Sequence, residues 1–532
     1  MTLDPRAGSA PDAPIGPTSP AEAAGLSDGA QAGETSRPQR GDELELSIDS
    51  LAFGGEGVAR LGDGGYVVFV AGAIPGDRVR AVVHKRKRNY AHARAVEILE
   101  PSPERIAPRA DHPGVPWQVL PYERQLEIKG TQVDDALRRI GRLDGFELEE
   151  IVPALERWRY RNKLEFSFGN GVEGGLVCGF HAPAGGNAVV AIEDCLLASE
   201  RGNLARDVAL GWCSAQGLTA WERGQGRRGA SRDEDRQRTA PAPDGRACLR
   251  NLVVREGRRT GKLQIRIVTT AGELEAGALA QALSEALGES LSGVLWTRSR
   301  SLAETTAGGD TELVWGEAEL PERLGELDLR ISPEAFFQTN TEMAELLYEI
   351  VVEYAALEGW ERVYDLYSGI GTIALTLASR AGELWGIELI EEAVADAIAA
   401  ARRNEIQGVQ FFAGDTRLAL PELVERAGRP DVLVVDPPRA GLSQKVVRRI
   451  IEASPKRIVY VSCNPTTLAP NAAQLEEAGW KLVKVRPVDM FPQTHHIECV
   501  ALFERLPGTP ALTEQRTAIS SGEHEIAAAD PE

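Results

Sequence analysis

Cys463 lies in the stretch Ile458-Val459-Tyr460-Val461-Ser462-Cys463-Asn464-Pro465, where apolar and aromatic residues predict a short buried strand that Asn464-Pro465 ends abruptly. Open α/β sheets present their ligands at the carboxyl ends of strands, so a thiol there is a candidate nucleophile. On its own, such a cysteine is more often inert packing. A second constellation, Asp365-Leu366-Tyr367-Ser368-Gly369-Ile370-Gly371-Thr372-Ile373-Ala374, follows an apolar strand and opens a helix. Glycines at such a turn let a cofactor approach the backbone. Its GxGxxA pattern suits a dinucleotide and a methyl donor equally. Glu388, ending the next strand, would accept hydrogen bonds from ribose hydroxyls in either case.

Positioning these groups takes more than one core. The chain of 532 residues, 43% apolar, predicts two to four domains. Cysteines at 178, 195, 213, 248, 463 and 499 form no CxxC pair, which argues against a disulfide framework or a metal site and for a reducing compartment. Neither a leader pattern in the first forty residues nor a long apolar run occurs, so a cytoplasmic protein with no membrane partner is expected. The net charge of −20 opposes nucleic-acid binding by the surface as a whole. Yet the stretch from Arg78 to Arg94 carries seven Lys or Arg and no acid, a basic stripe inside an acidic protein.

Residues 1–40 and 507–532 are polar or rich in small residues and are expected to be disordered. Between 41 and 100, five short alternating runs (43–48, 58–61, 66–70, 78–84, 91–99) predict a small closed barrel. Residues 101–335 bring a helix over 122–140 and then an α/β domain, interrupted by a flexible insertion at 222–246. From 336 to 506, strands at 363–366, 384–387, 410–413, 432–435 and 458–461 alternate with helices as in a doubly wound sheet.

Asp436-Pro437-Pro438-Arg439-Ala440-Gly441, after the fourth of those strands, favours the methyl donor over the dinucleotide. A dinucleotide oxidoreductase has no need of a carboxylate beside two prolines there, whereas proline-fixed backbone can hold a carboxylate and peptide groups against a reacting base. The barrel stretch from Ile48 to Ala59, with Ala73-Ile74-Pro75-Gly76-Asp77, resembles a TRAM domain, an oligonucleotide/oligosaccharide-binding type of barrel found on RNA-modifying enzymes. Phe336-Phe337-Gln338-Thr339-Asn340, the 365–371 and 436–441 segments, Val461-Ser462-Cys463-Asn464-Pro465 and the segment from Asp489 to Glu498 follow the order of RNA uracil-C5 methyltransferases. With Tyr160-Arg161-Asn162-Lys163 and the barrel, the resemblance covers about residues 42–506 and leans towards the 23S rRNA uracil-5-methyltransferases.

That resemblance implies a multidomain α/β chain: an amino-terminal small β-barrel, a central α/β RNA-binding domain and a carboxyl-terminal Rossmann-like doubly wound methyltransferase domain. It implies S-adenosylmethionine as cofactor, contacted by Gln338, Tyr367, Glu388 and Asp436, with Thr372 and Asp415 added. Cys463 would be the nucleophile and Glu498 the base, brought beside Val461 by a final antiparallel strand. Lys85, Arg86, Lys87, Arg88, Arg161 and Lys163 would contact RNA, with Tyr90 and His92 as stacking rings. Uracil C5 is a poor nucleophile, so a thiolate adds to C6 to activate it, and a base then removes the C5 proton so that the cysteine can leave. A helix beginning near Thr466 is expected to favour that thiolate.

Many family members hold a four-iron, four-sulfur cluster through three cysteines between the barrel and the next helix plus one later in the chain. Here the stretch from Ala107 to Gln118 has none, and Cys195 alone matches the later ligand, so no iron-sulfur cluster is expected and the segment should be held by packing around Trp117. His495 and His496 lack a third ligand at a metal spacing and are assigned to loop structure or RNA contact. The expected reaction is methylation of C5 of a uridine in structured RNA, rRNA ahead of tRNA, by a monomer acting on a flipped or unstacked base. The alternatives are the same chemistry on tRNA, cytosine-C5 methylation, and a catalytically idle RNA-binding protein that would tolerate loss of Cys463 and Glu498.

Overall fold

The computed structural model describes residues 37–507 apart from 63–64, 172–173, 183–187, 223–241, 243 and 304. Both expected disordered tails, save residues 37–40 and 507, and most of the 222–246 insertion lie outside the described residues.

Alternating apolar residues and glycine turns build β1 (Glu43–Ser47), β2 (Ser50–Leu51), β3 (Gly57–Leu61), β4 (Tyr66–Ala71), β5 (Arg78–Arg86) and β6 (Tyr90–Glu100), in the sheet order β1-β5-β6-β4-β3-β2. The two outer strands are halves of one bent stretch. At its middle the Ile48 amide donates to Asp77 O and the Asp49 amide to Val58 O, so the sheet closes on itself. Small and β-branched side chains, among them Val68, Val70, Val79, Ala81 and Ala93, fill the narrow interior.

Helix Tyr122–Asp135 runs into a single π turn, Ala136–Ile140, and then the two-residue strand β7 (Glu147–Leu148). The central sheet comprises β8 (Lys163–Asn170), β9 (Leu176–His181), β10 (Val189–Ala191), β11 (Leu249–Gly257), β12 (Lys262–Thr269), β13 (Leu291–Arg298) and β14 (Asp310–Gly316), ordered β10-β9-β8-β11-β12-β13-β14. Its parallel pair, β12 with β13, is joined through helix Ala276–Leu287, as a crossover demands. Leu164, Phe166, Leu252, Val254, Ile265 and Ile267 pack one face against that helix and helix Glu200–Ala215. A hairpin of β15 (Leu320–Leu324) and β16 (Leu327–Ile331) follows.

The third unit contains β17 (Arg362–Leu366), β18 (Glu383–Glu388), β19 (Val409–Ala413), β20 (Val432–Val435), β21 (Arg457–Ser462), β22 (Trp480–Val488) and β23 (Glu498–Arg505). The sheet order is β19-β18-β17-β20-β21-β23-β22-β7, with the first five strands parallel and β23 antiparallel to both neighbours. Strand order reverses between β17 and β20, where such sheets open a crevice at their carboxyl ends. Burial on both faces explains why β20 and β21 read as unbroken apolar runs.

Two segments grouped by sequence with the central domain pack on this unit instead. Val133, Leu137, Leu143 and Phe146 share a core with Trp480 and Leu482, and β7 pairs with β22. Leu320, Leu324 and Leu329 of the hairpin join Leu347 and Val351 of helix Thr341–Ala355.

The loop 489–497 is tied from several sides. Lys129 donates to Asp489 Oδ1 at 2.6 Å and to Phe491 O at 3.1 Å, and Tyr122 donates to Asp489 Oδ2 at 2.8 Å. Gln125 exchanges two hydrogen bonds with Gln493, and the Trp117 amide donates to Gln493 O. Trp117 itself is buried among Leu51, Ile74, Leu120 and Ile128, as expected for a segment held by packing. Nearby, His112 Nε2 stands 3.3 Å from the buried Cys195 Sγ. Lys129 and Asp489 are both fully buried, so Lys129→Met should strand a carboxylate in the core and lower the unfolding free energy by about 3–5 kcal/mol. Urea denaturation reads this directly, and an unchanged midpoint would show that the pair contributes nothing to stability. Among the described residues no helix is long and apolar enough to cross a membrane, and no group of three or more His, Cys, Asp or Glu could hold a metal ion.

Candidate active site

Four side chains from four separate segments meet at the carboxyl end of the third sheet. Cys463 follows β21 directly, and Asn464 caps the next helix, Pro465–Glu477, by accepting from the Thr466 amide, with Pro465 preset for the first turn. Glu498 is the first residue of β23, and the Ser462–Cys499 register sets it beside Cys463. Asp436 follows β20, and Gln338 Nε2 approaches its Oδ2 at 3.5 Å.

Burial pushes Asp436 up to about 7. Glu498 rises well above the usual carboxylate range through burial and the Asp436 charge, with Arg439 acting the other way. Burial, then Glu498 and Asp436, push the Cys463 thiol up to about 12. The expected helix does begin beside Cys463, while burial and the two carboxyl groups act against the thiolate. Iodoacetamide should accordingly alkylate Cys463 slowly at neutral pH, the rate rising about tenfold per pH unit without a plateau below pH 10. Asp436→Asn should accelerate it. Peptide mass spectrometry distinguishes the site from Cys248, which is also partly exposed. A plateau near pH 8 would mean that the thiol is unperturbed.

The turn after β17 forms the neighbouring cradle. Tyr367, Gly369 and Gly371 adopt positive φ of 64°, 55° and 81°. Glu388 braces the turn, accepting from the Gly369 amide through Oε2 and from the Ile390 amide through Oε1, both at 3.0 Å. Two buried oxygens there, Asp365 Oδ1 and Ser368 Oγ, lack a hydrogen-bond partner, and a Cβ placed on Gly369 would meet open space. Burial, then the Asp436 charge, hold Asp365 well above its ordinary range, with Glu388 adding to the effect. Unsatisfied acceptors, an opening above glycine and gathered carboxyl groups suit a polar cofactor that carries positive charge, as S-adenosylmethionine does. Thr372 is buried beneath this turn and shares a hydrogen bond with Tyr348. Asp415 caps helix Thr416–Ala427 and pairs with Arg417 at 2.6 Å.

Lys85, Arg86, Lys87 and Arg88 are all exposed at the end of β5 and the turn beyond it, while the ion pairs of Arg78 and Arg80 occupy the strand's other end. His92 pairs with Glu56 at 3.0 Å and, with Tyr90, packs about Phe69. The adjoining Gly55 lies against His495, where an added Cβ would come within 3.0 Å of the ring, so the barrel abuts the loop leading to Glu498. Arg161 lies 5.7 Å over the Phe491 ring of that loop. Lys163 has a partner within the chain. It pairs with Glu165 at 2.6 Å inside the central sheet, where burial and the neighbouring Arg255 disfavour its charge. Sequence reasoning missed Asp365 and Arg439 as members of the charged cluster, although both stand inside motifs it had singled out.

Comparison with known proteins accords with this geometry. Residues 317–506 match the tRNA (uracil-5-)-methyltransferase family model, and residues 37–96 match the TRAM domain. An uncharacterized RNA methyltransferase of Halalkalibacterium halodurans is 34% identical over 472 residues, 87% of this chain and 97% of that protein. Another, from Bacteroides thetaiotaomicron, is 36% identical over 85% of this chain and all of its own length. The crystal structure of Pyrococcus abyssi tRNA (uracil-54, C5)-methyltransferase in complex with S-adenosyl-L-homocysteine superposes with a TM-score of 0.68 at 27% identity, covering 86% of this chain and 99% of that one. With a TRAM barrel ahead of a methyltransferase sheet, and relatives matched along nearly their whole length, this chain belongs to the S-adenosylmethionine-dependent RNA uracil-C5 methyltransferase family.

Proposed function

We propose that the protein methylates C5 of a uridine in 23S rRNA through a covalent cysteine adduct. The observation that carries this reading is the meeting of Cys463, Glu498 and Asp436 at adjoining strand ends. S-adenosylmethionine, held by Gln338, Tyr367, Glu388 and Asp436 with Thr372 and Asp415 flanking, would supply an electrophilic methyl group. The Cys463 thiol gives its proton to a carboxylate of the facing pair as its sulfur bonds to uracil C6, and the C5–C6 π pair moves onto C5, which can then take the methyl group with S-adenosylhomocysteine as the leaving group. After C5 is methylated, Glu498 takes the remaining C5 proton, the C5–C6 double bond re-forms and the cysteine leaves. Asp436 orients the reacting groups. The buried surround holds this end of the sheet dry while the base is in place.

Residues 41–100 and the central unit would grip the RNA while 336–506 carry the chemistry, in the cytoplasm. Alanine at Lys85, Arg86, Lys87 and Arg88 together should weaken RNA binding and reduce the slope of log K against log salt by about 3, the share of four phosphate contacts. An unchanged slope would reassign the stripe to a bystander surface. The fused barrel supports rRNA by family resemblance. The likeness to the Pyrococcus tRNA enzyme makes tRNA the second reading. Incubation with labelled S-adenosylmethionine and unmodified rRNA or tRNA, followed by nucleoside analysis, decides between them. Label in 5-methyluridine from rRNA is the expected result. The same label from tRNA changes the substrate, label in 5-methylcytidine overturns the base assignment, and no label with cofactor binding intact indicates an idle RNA-binding protein.

A further inference from the structure

Asn162 has no place in the chemistry above. It is 5% exposed and enters the central sheet one residue before β8. Its side-chain amide donates to Gln338 O at 2.8 Å and to Thr341 Oγ1 at 2.9 Å. Its backbone amide donates to Thr339 O, and its own carbonyl accepts from the Glu256 amide. On the adjacent strand, Arg255 donates through its two terminal nitrogens to the carbonyls of Ser332 and Ala335.

Residues 332–340 belong to no strand or helix, so their carbonyls must find partners elsewhere. Asn162 and Arg255 supply them at both ends of Phe336-Phe337-Gln338. The arrangement is not a cheap way to pack a loop. Arg255 is 4% exposed, its Nε has no partner, and burial depresses its pKa to about 10. A buried cation of that kind costs stability that an apolar side chain would not. What depends on the placement is the Gln338 contact with Asp436. At 3.5 Å it lies at the outer limit of a hydrogen bond and would be lost on a further small displacement.

We propose that Asn162 and Arg255 are positioning residues of the methyl-transfer site: reaching out of the central sheet, they fix the backbone that aims Gln338 at Asp436 and the cofactor. This rests on the reading of Gln338 as a cofactor contact. The central unit thereby has a part in cofactor geometry as well as in RNA binding.

The test is titration of full-length Asn162→Ala and the milder Arg255→Lys with S-adenosylhomocysteine, beside Gln338→Ala and the Asn162→Ala/Gln338→Ala double variant, with thermal melts of each. Asn162→Ala is expected to weaken binding about tenfold at temperatures well below its melting point. The double variant should bind no more weakly than Gln338→Ala alone, because both changes remove one effect. Arg255→Lys, which keeps the charge and loses the two-carbonyl fork, should weaken binding in the same direction. Lowered melting temperatures with wild-type affinity in both single variants would overturn the proposal, as would full additivity in the double variant. Unimpaired binding by Gln338→Ala would refute the cofactor role of Gln338 and the proposal with it, a result distinct from either.

Discussion

Cys463→Ala is expected to lower 5-methyluridine formation by about five orders of magnitude, the scale on which loss of a covalent nucleophile acts, while leaving S-adenosylhomocysteine affinity within about threefold of wild type. The asymmetry follows from placement. Cys463 follows β21, whereas the Tyr367–Gly371 turn follows β17 and its Glu388 brace ends β18, further along the sheet. Removing a thiol from a partly exposed position also leaves the buried strand beneath it intact. Single-turnover methylation with calorimetric titration of the same preparation checks both halves. Residual methylation within a hundredfold of wild type would mean that C5 is activated without an adduct.

Glu498→Gln is expected to do the opposite of simple inactivation. Methyl transfer should proceed while release of the cysteine stalls, so a protein–RNA species resistant to denaturing electrophoresis should accumulate as turnover falls about 10³-fold. The amide keeps the shape of the buried side chain at the start of β23 and cannot accept the C5 proton. The same substitution removes one of the charges that hold the Cys463 thiol up, which favours adduct formation and strengthens the trap. If methylated product appears with no adduct at any time, the base is another group, and Asp436, the nearby carboxyl whose pKa lies close to neutral, becomes the candidate.

The parts of this site that were legible in the sequence are those with local grammar. The β21 run ending at Asn464-Pro465, the GxG turn and the five-strand barrel each carry a period or a stop signal. The meeting of Glu498 with Cys463 was reached through the family's antiparallel strand, and the register bears that placement out. Strand β7 and the hairpin at 320–331 were missed because strands of two and five residues with mixed patterning carry too little periodicity. Glu165 stands two residues after Lys163 in the sequence, yet only strand β8 puts both side chains on one face, where they pair. The raised thiol was hidden for a related reason. It arises from carboxyl groups on segments distant in the chain, and the burial that amplifies them exists only after folding. The grip of Asn162 and Arg255 on backbone carbonyls was beyond reach, since every residue has a carbonyl and no side-chain type marks which one will be held.

Strand β23 lies between β21 and β22, although among the described strands it is the last in the chain. Without residues 498–505 the sheet would have a gap between β21 and β22, and Cys463 would stand at its edge without Glu498. The loop 489–497 is likewise tied by Lys129 to a helix 360 residues earlier in the chain, so two distant segments must meet before it is locked. Insertion of β23 therefore completes the sheet and the pairing of Cys463 with Glu498 at once.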